Sequence, residues 1–103
     1  MRGDVYRLRA PRDAQGHEHA GSRYAVVVQS DQLPFSTWLV APTSMSARAA
    51  TFRPGVEVAG RPTRVLVEQT AAIDPTRLGD TAGHVTFTEL RLVEAALRLV
   101  VAL

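Results

Sequence analysis

The side chains of this chain that can do chemistry are few, and their types narrow the reactions open to it. All twelve cationic residues are arginine, lysine and cysteine are absent, and there are three histidines. Schiff-base chemistry, thiol nucleophiles, disulfides and thiolate zinc sites are therefore excluded. What remains is hydroxyl, carboxylate, imidazole and guanidinium. Arginine offers a planar, permanently charged fork that suits phosphate oxygens. An arginine-only set of cations is equally what a GC-rich genome would encode, so the net charge of +2 and the pI near 9.9 permit a nucleic-acid partner without demanding one.

Two groupings stand out. His17 and His19 flank Glu18 between Gly16 and Gly21, inside a polar stretch from Ala10 to Ser22. Imidazole titrates near pH 6.5, so either histidine could act as an acid or base, and the plainer alternative is a pair of solvated loop histidines. As a metal site the trio lacks a third ligand at suitable spacing, since His84 lies far along the chain, and no metal or other cofactor is expected. The second grouping depends on strand pairing. If the segments Arg23 to Gln29 and Thr37 to Thr43 form an antiparallel hairpin with Gln29 and Thr37 at its inner end, paired positions sum to 66 and Arg23 lies opposite Thr43. A fixed cation would then stand beside a hydroxyl. The alternative is an edge arginine with a threonine selected for strand propensity.

The elements that must hold these residues follow from periodicity. Asp4 to Arg9 alternates as a strand, and Ala25-Val26-Val27-Val28 within Arg23 to Gln29 is a β-branched run that suits burial on both faces. A turn seeded by Ser30, Asp31 and Pro34 leads to the strand Thr37 to Thr43, and further strands are expected at Phe52 to Val58 and Arg64 to Glu68. Pro54-Gly55 calls for an edge position or a bulge in the first of these. Asp74-Pro75 starts a single helical turn through Leu78 that Gly79 ends. Thr86-Phe87-Thr88-Glu89 fits a capping box ahead of a helix from Glu89 to Leu103, with Leu90, Val93, Leu97 and Val100 inward and Arg91, Glu94 and Arg98 outward. The sum is one mostly β, barrel-like domain with a terminal helix.

A chain of 103 residues supports one thin core, so a homodimer is expected. No apolar run reaches the roughly 18 residues of a membrane span. The start Met1-Arg2-Gly3-Asp4 lacks the apolar core of a signal peptide, so the expectation is a soluble, cytoplasmic protein with no membrane partner.

Several segments, taken in order, resemble the MazF/PemK-type toxins. They are Arg2-Gly3-Asp4-Val5-Tyr6, then Gly16-His17-Glu18-His19 ahead of Arg23, then Ala41-Pro42-Thr43-Ser44. Glu68-Gln69 and Ile73-Asp74-Pro75-Thr76-Arg77-Leu78 complete the series. The resemblance implies an SH3-like small barrel of the CcdB/PemK/MazF type and a homodimer that cleaves single-stranded RNA without a metal. It also implies a cognate, MazE-like antitoxin bound over the active site. By position it makes Arg23 and Thr43 the catalytic pair, with Arg2, Glu18, Tyr24, Ser44, Glu68 and Gln69 as RNA contacts. The alternative for Arg2, Glu68 and Gln69 is ordinary strand-end polarity.

Three departures from the family pattern matter. Tyr24 stands where proline commonly follows the arginine, as a base-stacking ring or a barrel-rim tyrosine. Histidines occupy both variable places of the Gly-x-Glu-x loop. Ala71 stands where an arginine is frequent. Two other readings remain beside this one. A CcdB-like gyrase poison shares the fold but is marked by a C-terminal Trp-Gly-Ile, whereas this chain ends Val100-Val101-Ala102-Leu103 and carries its only tryptophan, Trp38, inside a strand. A non-catalytic SH3-like interaction module is the third.

Overall fold

The computed structural model of the chain describes residues 1–9, 23–33 and 35–103. Seven strands appear among them: β1 Asp4–Leu8, β2 Tyr24–Val27, β3 Trp38–Ser44, β4 Gly55–Val58, β5 Arg61–Val65, β6 Ala71–Ile73 and β7 Leu78–His84. They are followed by the helix α1, Phe87–Val101. All pairings are antiparallel, in the order β4-β5-β3-β2-β1-β7, with β6 on β3. The sheet curls into a half-barrel with α1 against it.

β2 is buried on both faces, as its valine run anticipates. Val26 and Val28 join the main core with Val5, Val56, Val58 and Val65, and with Val93 and Ala96 of α1. Ala25 and Val27 face the other way, into a smaller cluster with Val40 and Leu78 that Tyr6, Leu8, Trp38 and Ile73 complete.

The register of β2 on β3 differs by one from the expected pairing. The observed partners Ala25↔Pro42, Val26↔Ala41 and Val27↔Val40 each sum to 67. The cause is a bulge, because the amides of Val28 and Gln29 both donate to the Leu39 carbonyl, at 3.0 and 3.2 Å. The buried Gln29 side chain stabilises this irregularity, accepting from the Leu39 amide at 3.3 Å and donating to the Leu33 carbonyl at 3.0 Å. Continuing the ladder therefore sets Tyr24, not Arg23, opposite Thr43.

Four further expectations are corrected. The strand expected at Arg64 to Glu68 is β5, displaced towards the N-terminus, and Val67–Gln69 forms a 3-10 turn. That turn lifts the chain from the C-terminal end of β3, where Thr43 pairs with Val65, and returns it as β6 along Trp38–Val40. Past the single turn Pro75–Arg77, which Asp74 caps by accepting from the Thr76 amide at 2.9 Å, Gly79 continues into β7. Only Leu78 of β7 is buried, so its sequence shows no alternation. Glu94, expected to face outward, is half-buried beneath Arg2. Val100, expected inward, is 41% exposed. β4 lies at the sheet edge, where Pro54-Gly55 belongs.

The capping box forms, with α1 starting two residues before the expected Glu89. Thr86 Oγ1 accepts from the Glu89 amide at 3.1 Å, and Glu89 Oε1 accepts from the Thr86 amide at 2.8 Å. Glu89 Oε2 also accepts from the Glu57 amide at 2.8 Å, tying the edge strand β4 to the helix. Thr86→Ala should cost about 1 kcal/mol. Glu89→Ala should cost more, because two amides lose their acceptor. Thermal melts of the two variants check this; equal melting temperatures would show that the Glu57 tie contributes nothing.

Candidate active site

The antiparallel pairing of β2 and β3 brings the entry of one strand beside the exit of the other. Arg23 just before β2, Tyr24 at its start, and Thr43 and Ser44 at the end of β3 consequently line one cavity of about 830 Å³. Its remaining wall is Met45 and Ser46 beyond β3, together with Val58, Ala59, Arg61 and Thr63 of the β4–β5 hairpin. Directly paired residues of an antiparallel ladder share a face. Thr43 thus faces the same side as its partner Val65, a fully buried core residue, and the cavity is the mouth of the main core.

Thr43 is 3% exposed, and its hydroxyl donates to the Tyr24 carbonyl at 3.2 Å. That bond orients the oxygen and leaves its lone pairs free to accept. Arg23 is half-buried and anchored through its carbonyl, which accepts from the Leu8 amide at 2.9 Å. Among the described residues its guanidinium has no partner. The described lining residues include two arginines and no carboxylate, so this described wall is electropositive, suited to holding an anion and to stabilising charge that grows during a reaction. The half-buried Tyr24 ring packs on the main core and carries the Arg7 guanidinium 5.8 Å from its centre. Ser44 and Ser46 share a hydroxyl contact of 3.3 Å.

The cavity gathers Arg23, Thr43, Tyr24 and Ser44 but not Arg2, Glu68 or Gln69. Arg2 reaches the helix side, where Nε meets Glu94 Oε2 at 3.3 Å and Nη1 donates to the Val28 carbonyl. Glu68 and Gln69 sit on the 3-10 turn, with Glu68 Oε2 accepting from Arg53 at 2.6 and 3.0 Å. His17, Glu18 and His19 lie outside the described residues. Among the described residues no group of three histidine, cysteine or acidic side chains is arranged to hold a metal ion. Sequence reasoning missed Met45, Arg61 and Thr63. The alternation Arg61-Thr63-Val65 after Ala59-Gly60 was the available signal, and a strand begun at Arg64 hides it.

The hydrogen bond from Arg53 holds the Glu68 carboxyl below its ordinary value of 4.5. Because the folded value is the lower one, the pair contributes stability above about pH 4.5 and loses it as pH falls through the folded value. Glu68→Gln should therefore lower the melting temperature at pH 7, by a small amount for so accessible a pair, and the gap should narrow as the pH falls below about 4.5. Melts of both proteins across pH 3 to 7 test this; a gap that does not shrink in acid refutes it.

The sequence pattern of the PemK-like, MazF-like toxins of type II toxin-antitoxin systems matches residues 1–101. A relative from Mycobacterium tuberculosis, the candidate toxin Rv3098A, is 41% identical over 97 residues, covering 93% of this chain and 92% of its own length. Among solved structures, a mycobacterial endoribonuclease in complex with its cognate antitoxin superposes with a TM-score of 0.79 at 17% identity, over 100% of this chain and 95% of that one. The Mycobacterium tuberculosis toxin MazF-mt6 gives 0.76 at 14% identity, over 97% of each chain. MazF of Deinococcus radiodurans gives 0.77 at 19% identity, over 99% of this chain and 96% of that one. At such identities these structures speak for the fold; the family rests on the sequence match along nearly the whole chain, by which this protein belongs to the PemK/MazF toxins of type II toxin-antitoxin systems.

Proposed function

We propose that this toxin is an endoribonuclease that cuts single-stranded RNA by attack of the 2′-hydroxyl on the adjacent phosphorus. The observation that carries the reading is the convergence of Arg23 and Thr43, twenty positions apart, on one electropositive cavity. In the reaction the 2′-oxygen forms a bond to phosphorus and the bond to the 5′-oxygen breaks, leaving a 2′,3′-cyclic phosphate and a 5′-hydroxyl. The 2′ proton goes to a base, and an acid returns a proton to the departing oxygen. Arg23 neutralises the charge that builds on the phosphorane oxygens, a role its fork fits. Thr43 positions a phosphate oxygen or the attacking hydroxyl. An unperturbed threonine hydroxyl is a poor proton acceptor, which leaves the base and acid duties to other groups. His17 and His19, which precede Arg23, have the right chemistry for them.

Tyr24 and Ser44 contact the RNA from the same cavity, and Glu18, six positions before Tyr24, is a further contact. Arg2, Glu68 and Gln69, which have protein partners or lie off the cavity, are the weaker contacts in this scheme. With RNA as substrate, the place of action is the cytoplasm. The protein works as a homodimer, supported by the exposed Leu92, Leu99 and Val101 along α1, Leu103 beyond its end, and Leu33, Phe35 and Leu39. A cognate MazE-like antitoxin is the partner, a reading supported by the mycobacterial and Deinococcus neighbours solved with their antitoxins, and in this scheme it binds over the cavity.

Incubation of the pure protein with single-stranded RNA in EDTA should yield fragments. Arg23→Lys, which keeps the charge but loses the fork, should lower the single-turnover rate by on the order of 100-fold or more. Thr43→Val should slow the chemical step more than it weakens RNA binding. A folded Arg23→Lys protein with near-normal turnover removes Arg23 from the reaction. If either histidine moves a proton, its glutamine variant should lose roughly 100-fold and flatten the rate profile between pH 5.5 and 7.5. Unchanged profiles for both variants would make the two histidines bystanders.

A further inference from the structure

The wall of the cavity opposite Arg23 carries a second cation. β3 lies between β2 and β5 in the sheet, so Arg23 approaches from one flank of Thr43 and Arg61 from the other. Arg61 is exposed, and among the described residues its guanidinium has no hydrogen bond or ion pair. Arg2, Arg53 and Arg64, by contrast, all have acceptors. Its backbone is fixed by a two-residue turn, Ala59-Gly60, with φ of 52° and 79°, a type I′ geometry that locks Val58 opposite Arg61. Arg61, Thr63 and Val65 alternate onto the cavity face. Thr63 is 8% exposed and, among the described residues, its hydroxyl lacks a partner, so this wall is polar down to its base.

Distance decides what Arg61 can hold. Thr43 pairs with Val65, and Arg61 stands four residues before Val65 at the start of β5, about 13 Å of strand away. An anion seated between Arg23 and Thr43 therefore leaves the Arg61 fork over the next stretch of a bound polyanion. We propose that Arg61 binds a phosphate flanking the scissile one and so sets where the RNA strand lies in the cavity. This rests on the endoribonuclease reading. Arg61 acts as a positioning residue whose backbone is fixed in advance by its hairpin, so that only its side chain has to be ordered on binding.

The experiment compares the parent with Arg61→Ala and Arg61→Lys on two substrates, a single-stranded RNA of about seven nucleotides and a dinucleotide with one phosphodiester. Arg61→Ala should weaken binding of the longer RNA about tenfold and reduce the slope of log K against log salt by about 0.7, the loss of one phosphate contact on a single strand. Its single-turnover rate at saturating RNA should stay within about twofold of the parent, and it should cut the dinucleotide as the parent does. Arg61→Lys should retain the salt slope. Melting curves of all three proteins establish that the variants are folded.

Unchanged affinity and slope in Arg61→Ala overturn the proposal while leaving the endoribonuclease reading intact. An equal loss on the dinucleotide, or a fall in the saturated rate, would assign Arg61 to the scissile phosphate and overturn the flanking contact. A parent protein that neither binds nor cuts RNA defeats the underlying reading and this proposal with it.

Discussion

Both sides of the molecule are built on β2. Val26 and Val28 belong to one core and Ala25 and Val27 to the other, and all four are 5% exposed or less. A buried valine contributes roughly 1.5–3 kcal/mol, more than the ~1 kcal/mol of a single ladder hydrogen bond, so side-chain burial and not the ladder specifies the register. A slip by one residue would exchange the two sets of side chains between faces of different size. The bulge at Gln29 is the local adjustment that lets this register coexist with the connection to β3. Everything at the far end of the hairpin inherits it, including which residue faces Thr43.

From that register the cavity follows as the place where the apolar interior runs out. Along β5 the inner face passes from Val65, fully buried, to Thr63 and then to the exposed Arg61. Along β3 it passes from Ala41, fully buried, through Thr43 to Met45 just beyond the strand, 63% exposed. Hydroxyls at this boundary have apolar packing on one side and an opening on the other, which restrains their motion without surrounding them with protein acceptors. A hydroxyl held in this way can spend its remaining hydrogen-bonding capacity on a ligand. The half-barrel needs no separate loop architecture to make such a site, because its own mouth supplies one.

The arginines divide by what they touch. Arg2 joins the N-terminal segment to α1 through Glu94, Arg53 joins the turn before β4 to Glu68, and Arg64 donates to the Arg53 carbonyl at 2.9 Å. These are struts, for which the positive charge matters through its partner. Arg23 and Arg61 face a cavity instead, where the described wall offers them no carboxylate. The helix contributes through Glu89, whose carboxylate closes the capping box and also occupies an edge amide of β4, limiting further strand pairing there.

Much of this was legible in the residues themselves. The valine run of β2 implied two-sided burial because β-branched side chains without polar interruption have no solvent face. Thr86 and Glu89 announced the start of α1 because a capping box is a local motif closed within four residues. The five family-like segments identified the protein because they recur in order along nearly the whole chain. Other features had no local cause. β6 is three residues long and exists because β3 offers it an edge, and β7 is a strand because β1 does, since L-G-D-T-A-G-H has too few apolar residues to alternate. Nothing around Arg2 in the chain announces its partner Glu94, which the fold brings to it from ninety-two positions away. The sequence by itself determined the class of fold, the family and the arginine and hydroxyl chemistry, all of which depend on residue type and short spacing. Only the tertiary structure decided which arginines remain available, because a guanidinium is claimed or left free by whatever distant chain is folded against it.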